Sequence, residues 1–402
     1  MTGKQRMLNA YRGQENDRIA IAPEFWCYYP ARILGVDMIQ FEREVPFHKA
    51  LKTAFARFGC EGWGIVSPHF PNPNVDRRSA ERWDGERLEV RWTARTPHGE
   101  LCGAQLYDRR EPGWTLERPI KNLERDLQAY EFLTLGGDPA LFDPAALLRA
   151  REDVGEAYLL EACLGVPFFD YYAGGRDGGF EAAVFDFLEN EALLEGLQER
   201  YIACLAPRAE AICTKTPYES LFIGCSWSCN SLIGPARWRR WDKPVIKAVV
   251  DVAHRHGRLV HVHFHGKCLR TVADFAELGI DCVCPFERPP GGDVAGLAGL
   301  AQVARLLAGR TTMNGNLQTV ETLIRGTPAD VRREVREVLT AFAGNPRVIL
   351  GTGDQVGRET PEENIVAMIE EAKICCGKGA DAGGTFPGVA DGHDNICQIA
   401  GV

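Results

Sequence analysis

Three histidines occupy alternate positions in an apolar stretch of the chain, residues 259–266. Successive side chains of a strand point to opposite faces, so His261, His263 and His265 are predicted to point the same way. Imidazole is a common metal ligand and titrates near neutral pH. Burying three imidazoles on one face is costly unless they have partners. This stretch is therefore the first place in the chain to look for chemistry.

Two carboxylates follow other apolar runs. Glu287 comes after residues 281–286, and Asp354 comes after residues 348–353. If these runs are parallel strands of one barrel, their carboxyl ends meet at the same face. We predict that His263, His265, Glu287 and Asp354 form a catalytic metal site. Zinc accepts such nitrogen and oxygen ligands, and iron or manganese would also tolerate them.

Less specific roles for the histidines stay open. A core histidine is often only hydrogen-bonded, and His261 is expected to lie deeper, in a packing or supporting role. The pattern leaves open whether His261 or Cys268 takes part in the site.

The elements that must position these residues follow an alternating pattern. Eight short apolar runs alternate with helical patterns, which favours parallel βαβ units and an α/β fold, a TIM (β/α)8 barrel formed by a single domain over residues 1–402. A doubly wound open sheet is the main alternative, but no G-x-G-x-x-G follows the first run. The predicted strands are 19–23, 62–66, 157–162, 220–224, 259–264, 281–284, 311–313 and 348–351.

One segment interrupts this alternation. Residues 76–125 contain stretches of period 2, and residues 96–99 read as a turn between two of them. We predict an antiparallel β-hairpin insertion after the second barrel strand; a plain surface loop is the alternative.

Aromatic residues gather at the ends of the predicted strands, where they could line a pocket for a flat or methylated ligand. Ordinary barrel packing is the competing interpretation. The residues assigned to substrate binding are Trp26, Tyr28, Trp63, Phe169, Tyr171, Trp227 and Asn316.

Composition narrows the functional class. A net charge of −9 argues against non-specific nucleic-acid binding. No apolar window reaches the length of a membrane span, and residues 1–6 lack the apolar core of a signal peptide. We therefore expect a cytoplasmic protein whose 14 cysteines are mostly reduced thiols. Composition leaves a homo-oligomer open.

The second half of the chain resembles a known family. Thr-Thr-Met-Asn-Gly-Asn-Leu at 311–317 is followed by Leu-Ile-Arg-Gly-Thr-Pro at 323–328, Val-Ile-Leu-Gly-Thr-Gly at 348–353 and Thr-Pro-Glu-Glu-Asn-Ile at 360–365. This order is similar to the uroporphyrinogen decarboxylase superfamily, including its cobalamin-dependent methyltransferase branch, over about residues 215–375. The resemblance implies a TIM barrel, in agreement with the strand count.

The methyltransferase branch carries a His-x-Cys-Gly motif and a later Gly-Cys segment that bind zinc. Here His263-Phe264-His265-Gly266 stands at the first motif, with His265 where cysteine is expected, and Gly353-Asp354 stands at the second. Glu287 is similar in position to an acidic ligand of that branch. The decarboxylase branch opens with Arg-Gln-Ala-Gly-Arg, which this chain replaces by residues 22–28 without a cation. Porphyrin decarboxylation is therefore not expected.

Exchanging two thiolates for His and Asp leaves the ion less neutralised and a stronger Lewis acid. The resemblance then implies O-demethylation: the ion polarises the oxygen of a methyl ether, such as a methoxylated aromatic, while a reduced corrinoid attacks the methyl group. A separate corrinoid protein is the implied partner, because the string that begins at Asp391 has Ile396 where a cobalamin-binding motif has glycine. The alternatives are a methylcobalamin:thiol methyltransferase, a metal-dependent lyase or hydrolase, and a non-catalytic binder.

Overall fold

Twelve strands form two separate sheets. The computed structural model describes residues 1–378 of the chain. The strands are β1 (Ala20–Ala22), β2 (Trp63–Val66), β3 (Asp76–Trp83), β4 (Arg87–Thr96), β5 (Gly99–Asp108), β6 (Trp114–Glu117), β7 (Leu159–Gly165), β8 (Ser220–Cys225), β9 (Leu259–Phe264), β10 (Cys282–Pro285), β11 (Thr312–Leu317) and β12 (Val348–Thr352).

Eight of these strands build the predicted TIM barrel. They are all parallel, in the order β1-β12-β11-β10-β9-β8-β7-β2. The first two strands of the chain stand at the two ends of this order, as in a closed (β/α)8 arrangement. Each of the eight predicted strands corresponds to one barrel strand, so the fold class is confirmed.

Helices surround the barrel. They are α1 (Gly3–Arg12), α2 (Tyr28–Leu34), α3 (Met38–Glu44), α4 (Phe47–Phe58), α5 (Leu123–Leu135), α6 (Ala145–Val154), α7 (Phe168–Gly175), α8 (Gly179–Glu189), α9 (Glu191–Lys215), α10 (Gly234–Trp241), α11 (Lys243–Arg255), α12 (Val272–Leu278), α13 (Gly296–Leu307), α14 (Pro328–Ala341) and α15 (Glu362–Lys378), with short 3-10 and π segments at Pro139–Leu141 and Thr319–Ile324.

The inserted segment forms a second sheet with four antiparallel strands in the order β3-β4-β5-β6, which is more than the single hairpin predicted. The turn at residues 96–99 joins β4 to β5, as predicted. Helix α5 begins within the predicted span of the insertion. The division into one domain with an insertion at 76–125 stays a prediction.

The barrel interior is polar at its centre. On β9, Val260 and Val262 belong to the cluster that packs the helices against the barrel. His261 and His263 contact the interior rings of Trp63 and Phe222 instead. The strand alternation therefore turns these two histidines into the barrel.

Residues 1–378 also bear on two predictions from composition. None of their helices combines the length and the apolar character that crossing a bilayer requires. Their 13 cysteines are all free, as predicted for reduced thiols.

A buried carboxylate links the two strands at the ends of the barrel order. Glu61 lies two residues before the start of β2 and is only 2% exposed. It accepts a hydrogen bond from the backbone N–H of Ile21 in β1 at 3.0 Å. Arg18 and Arg6 donate to the same carboxylate at 2.6 and 2.9 Å. This side chain thus joins β1 to β2 and is itself neutralised by two guanidinium groups.

We predict that Glu61→Ala lowers the free energy of unfolding by about 3 kcal/mol, because two arginines and a backbone N–H lose a buried partner. The midpoint of urea unfolding measures the effect. The matched control is Glu156→Ala, since Glu156 is 63% exposed and pairs with Lys4 at 3.6 Å; it should cost less than about 0.5 kcal/mol. Equal shifts for both variants would show that Glu61 does not secure the barrel.

Candidate metal centre

Two imidazoles face each other at the carboxyl end of β9. The Nε2 atoms of His263 and His265 lie 2.7 Å apart, and their ring centroids are separated by 4.3 Å. Burial, with the neighbouring His265 and His261, holds the pKa of His263 well below its usual value. His263 is therefore neutral near pH 7, the form in which imidazole binds a metal.

Glu287 orients the second imidazole. Its Oε1 lies 3.0 Å from Nδ1 of His265 and accepts a hydrogen bond from the Gly266 N–H at 2.7 Å. Burial opposes the charge of His265, but the hydrogen bond to Glu287 and the carboxylate of Asp354 leave its pKa raised overall. When a carboxylate accepts a hydrogen bond from one ring nitrogen, the other ring nitrogen is left free to bind a metal, as in many metal sites. The geometry favours this supporting role for Glu287, and its role as a direct ligand stays a prediction.

Asp354 completes a donor group with the two histidines. One ligand atom each from His263, His265 and Asp354 lies within 4.8 Å of the others. Burial raises the pKa of Asp354. Its backbone has φ 146°, a conformation that non-glycine residues rarely adopt. Such strain costs on the order of 1–3 kcal/mol and is concentrated at functional sites.

A second donor group shares His263 through its other ring nitrogen. Nδ1 of His263 lies 3.0 Å from Sγ of Cys284 and 3.8 Å from Oε2 of Glu24. These three residues also have ligand atoms within 4.8 Å of one another. Cys284 therefore stands to His263 as Glu287 stands to His265, each within hydrogen-bond distance of Nδ1, and Glu24 lies nearby. This arrangement leaves the two Nε2 atoms directed at the same point.

Glu24 is an unusual buried acid. It is 7% exposed, and its carboxylate accepts no hydrogen bond from any side chain or backbone group within residues 1–378. Burial, with the charges of Asp354 and Glu287, raises its pKa well above the usual value. A buried carboxylate without hydrogen bonds is costly unless a cation lies close to it.

Below this level, His261 belongs to a buried hydrogen-bond network. Its Nδ1 lies 2.8 Å from Oε2 of Glu161 and 3.1 Å from the hydroxyl of Tyr11, and its Nε2 lies 3.1 Å from Cys284. His261 is completely buried, as expected for a supporting residue. Cys268 is also buried and lies outside both donor groups; its backbone N–H donates to Asp293.

A cavity of about 340 Å³ opens onto the donor groups. Its walls include Glu24, His263, His265 and Asp354, together with the predicted substrate residues Trp26 and Trp63. Two of the aromatic residues predicted to bind substrate thus lie beside the donors.

The other predicted substrate residues lie elsewhere. Phe169 and Tyr171 are buried and pack on aromatic rings of α8 and α9. Asn316 is buried and donates to the carbonyl of Phe286. Tyr28 donates to Glu111 near the surface. The backbone N–H of Trp227 donates to Asp170, and the indole ring of Trp227 lies under Arg118. Their assignment to substrate binding stays a prediction.

Sequence reasoning missed Glu24, Cys284 and Glu161. Glu24 lies two residues after β1, so the rule that strand ends carry the site could have found it. Glu161 is a charged residue inside the apolar strand β7, a signal of an interior partner. Cys284 carries no such signal, because a buried cysteine usually serves packing.

The donor set fits a divalent cation. Two imidazoles, an adjacent aspartate and a buried glutamate provide nitrogen and oxygen ligands of the kind that zinc accepts, and each imidazole has a partner on Nδ1. His263, His265 and Asp354 would hold the ion, and Glu24 lies close enough to His263 to offset its charge.

The family model and the curated relatives that match this chain belong to the same family. The model of the family "Uroporphyrinogen decarboxylase (URO-D)" matches residues 145–374. The uroporphyrinogen decarboxylase of Thermus thermophilus is 29% identical over 180 residues, 44% of this chain and 46% of that protein. The one from Paraburkholderia phytofirmans is 27% identical over 84 residues, 20% and 22% of the two chains. The chain therefore spans less than half the length of either curated relative.

A solved structure shares the whole architecture. A methyltransferase from Methanosarcina mazei superposes with a TM-score of 0.62 over 93% of this chain and 99% of that one, at 14% sequence identity. At this identity the likeness establishes the fold.

We predict that His263→Ala abolishes zinc binding, whereas Glu287→Gln retains it with an affinity about 10–100-fold weaker, because removing a partner of a ligand loosens the ligand without deleting it. Competition with a chromogenic chelator measures both affinities. If Glu287→Gln loses zinc as completely as His263→Ala does, Glu287 is itself a ligand.

Proposed function

The chain belongs to the uroporphyrinogen decarboxylase family, and from this premise we propose that it is a metal-dependent methyltransferase. It would move a methyl group from a methoxylated small molecule, with a methoxylated aromatic as the favoured donor, to a corrinoid carried by a separate protein.

The observation that carries the proposal is the donor group of His263, His265 and Asp354 at the wall of an indole-lined cavity. It contains the neutral imidazole of His263, the imidazole of His265, which would release its proton on binding an ion, and one carboxylate. A divalent ion held there would supply Lewis acidity toward the ether oxygen of the donor, which makes that oxygen a better leaving group. Such a site suits a substrate whose reacting group contains a neutral oxygen atom.

The remaining chemistry falls to the side chains of the chain. Glu287 and Cys284 hold the two imidazoles from their Nδ1 atoms, so that no ligand has to reorient during turnover. Trp26 and Trp63 offer flat apolar surfaces beside the donors, which can exclude water from the reacting ether.

The proposed transfer balances in atoms and electrons. The methyl carbon exchanges its bond to the donor oxygen for a bond to the cobalt of the reduced corrinoid, which supplies both electrons. The oxygen keeps the electron pair of the broken bond and takes up a proton on release. The products are a methylated corrinoid and a free alcohol or phenol, and no further oxidant or reductant is consumed.

The charge of the cavity argues against decarboxylation of a porphyrinogen. Its lining within residues 1–378 includes Glu24 and Asp354 but no lysine or arginine. A multiply anionic substrate would meet two carboxylates and no guanidinium group. The curated relatives carry the decarboxylase name, but this lining favours an uncharged donor.

The experiment is methyl transfer to cobalt. Zinc-loaded protein is incubated with a reduced corrinoid protein and a panel of methoxylated aromatics, and the absorption spectrum reports conversion of cob(I)alamin to methylcobalamin. We predict transfer by the wild-type chain and a loss of at least about 100-fold for His263→Ala, because the oxygen then leaves without electrostatic assistance.

The matched control is His98→Ala, since His98 is an exposed histidine in the turn between β4 and β5; it should transfer methyl at the wild-type rate. Turnover by metal-free protein, or by His263→Ala without bound metal, would reject the mechanism. Methylation of a thiol by methylcobalamin, with no demethylation of any ether, would favour the thiol methyltransferase instead.

A further inference from the structure

A second cavity adjoins the metal cavity, and we propose that it binds the aromatic body of an uncharged methyl donor and disfavours carboxylated donors. The proposal rests on the proposed function and narrows its substrate class. It also gives the inserted sheet a role, because that sheet forms one wall.

The cavity lies between the barrel and the insertion. It has a volume of about 760 Å³, within the range of small-molecule sites. Residues of α3, of the start of α4 and of the end of β2 form its barrel side. Residues of β5 and of the loop between β5 and β6 form the opposite side. A ligand there would contact both sheets of the protein.

The two cavities share a wall. Trp26, Ile65 and Gln355 line both of them. The ring centroid of Trp26 lies 5.9 Å from that of Trp63 in the metal cavity and 5.0 Å from that of Phe47 in the second cavity. Gln355 directly follows Asp354, a member of the donor group. A ligand held in the second cavity is therefore one side chain away from the metal donors.

The lining suits an aromatic ring. Four aromatic side chains, Trp26, Phe41, Phe47 and Tyr107, belong to it. Phe41 and Trp26 both meet Phe47 edge to face, at centroid distances of 6.3 and 5.0 Å. Aromatic faces and edges prefer these geometries, so a further ring in the cavity can add similar contacts. A benzene-sized ligand fills about 150 Å³, which leaves room for ring substituents.

The charge of the lining sets the class of ligand. Glu42 is the acidic residue of this cavity, and its Oε2 accepts a hydrogen bond from the Gly113 N–H at 2.9 Å, which holds it in place. Within residues 1–378 the lining includes no lysine or arginine. The nearby Arg43 lies over the ring of Tyr107 and is paired with Glu81 at 2.6 Å. His48 also lines the cavity, but its Nε2 is paired with Asp153 at 3.1 Å. A carboxylate on the ligand would therefore meet Glu42 with no unpaired cation in the lining to balance it.

The test is binding to the zinc-loaded protein without corrinoid. The matched probes are 4-hydroxy-3-methoxybenzyl alcohol and 4-hydroxy-3-methoxybenzoate, which differ in one charged substituent. Isothermal titration should show the alcohol binding about tenfold more tightly. Glu42→Gln should reduce this preference to about threefold, since an exposed carboxylate pair contributes only a few-fold in water. The control Glu44→Gln, an exposed acid on the same helix, should leave it unchanged.

The aromatic wall is tested separately. Phe47→Ala should weaken both probes about tenfold, and Tyr107→Ala on the opposite side should do the same. Far-ultraviolet circular dichroism checks that each variant is folded, and the second variant serves if the first is not. Tighter binding of the benzoate, or wild-type affinity in both folded variants, would overturn the proposal.

The result is distinguishable from the outcome for the proposed function. Selective binding of the alcohol without methyl transfer to cobalt would leave this cavity as the binding site and reject the methyltransferase. Methyl transfer that is insensitive to Phe47→Ala and Tyr107→Ala would retain the methyltransferase and reject the cavity as its donor site.

Discussion

Buried negative charge at the carboxyl end of the barrel is the constraint on which this structure depends. Burial, with the charges of Asp354 and Glu287, raises the pKa of Glu24, and burial keeps the adjacent His263 neutral. His265, whose pKa is raised, supplies one positive charge at most against the three carboxylates. In a low-dielectric interior this arrangement is stable only if the acids take up protons or a cation supplies the missing charge. The two Nε2 atoms lie 2.7 Å apart, the distance of a hydrogen bond from protonated His265 to neutral His263, and a cation would replace that shared proton.

Parallel strands explain how distant residues meet at this point. The register pairs His263 with Cys284 on one neighbouring strand and with Gly224 on the other, so inward-facing residues form level layers. The lower layer, with His261, Glu161 and Tyr11, is joined by hydrogen bonds and supports the upper one through Cys284. The upper layer is left with ligand atoms directed at the cavity. Packing and chemistry therefore occupy different levels of the same barrel.

The sequence predicts much of the barrel because its strands are mostly buried and read as short apolar runs; β9 begins and ends at the predicted residues 259 and 264. The alternation of His261 and His263 predicts their shared interior orientation for the same reason. Contacts between strands far apart in the chain are not encoded locally, so Glu24 beside His263 could not be inferred from either segment alone. The break between α8 and α9 at Asn190 could not be predicted, because the apolar periodicity continues across it. The predicted hairpin left out β3 and β6 of the insertion, because these strands are mostly exposed and lack a clear alternation of apolar and polar residues.

The central claim is that one cation is held by the Nε2 atoms of two histidines and by carboxylate oxygen, with Cys284 kept as a supporting thiol. X-ray absorption at the zinc edge of the zinc-loaded protein tests this most directly. The account predicts a first shell of nitrogen and oxygen at about 2.0–2.1 Å with imidazole outer-shell scattering from two rings. A sulfur scatterer at about 2.3 Å would place Cys284 in the first shell and contradict the assignment. A protein that retains no zinc at all would remove its basis.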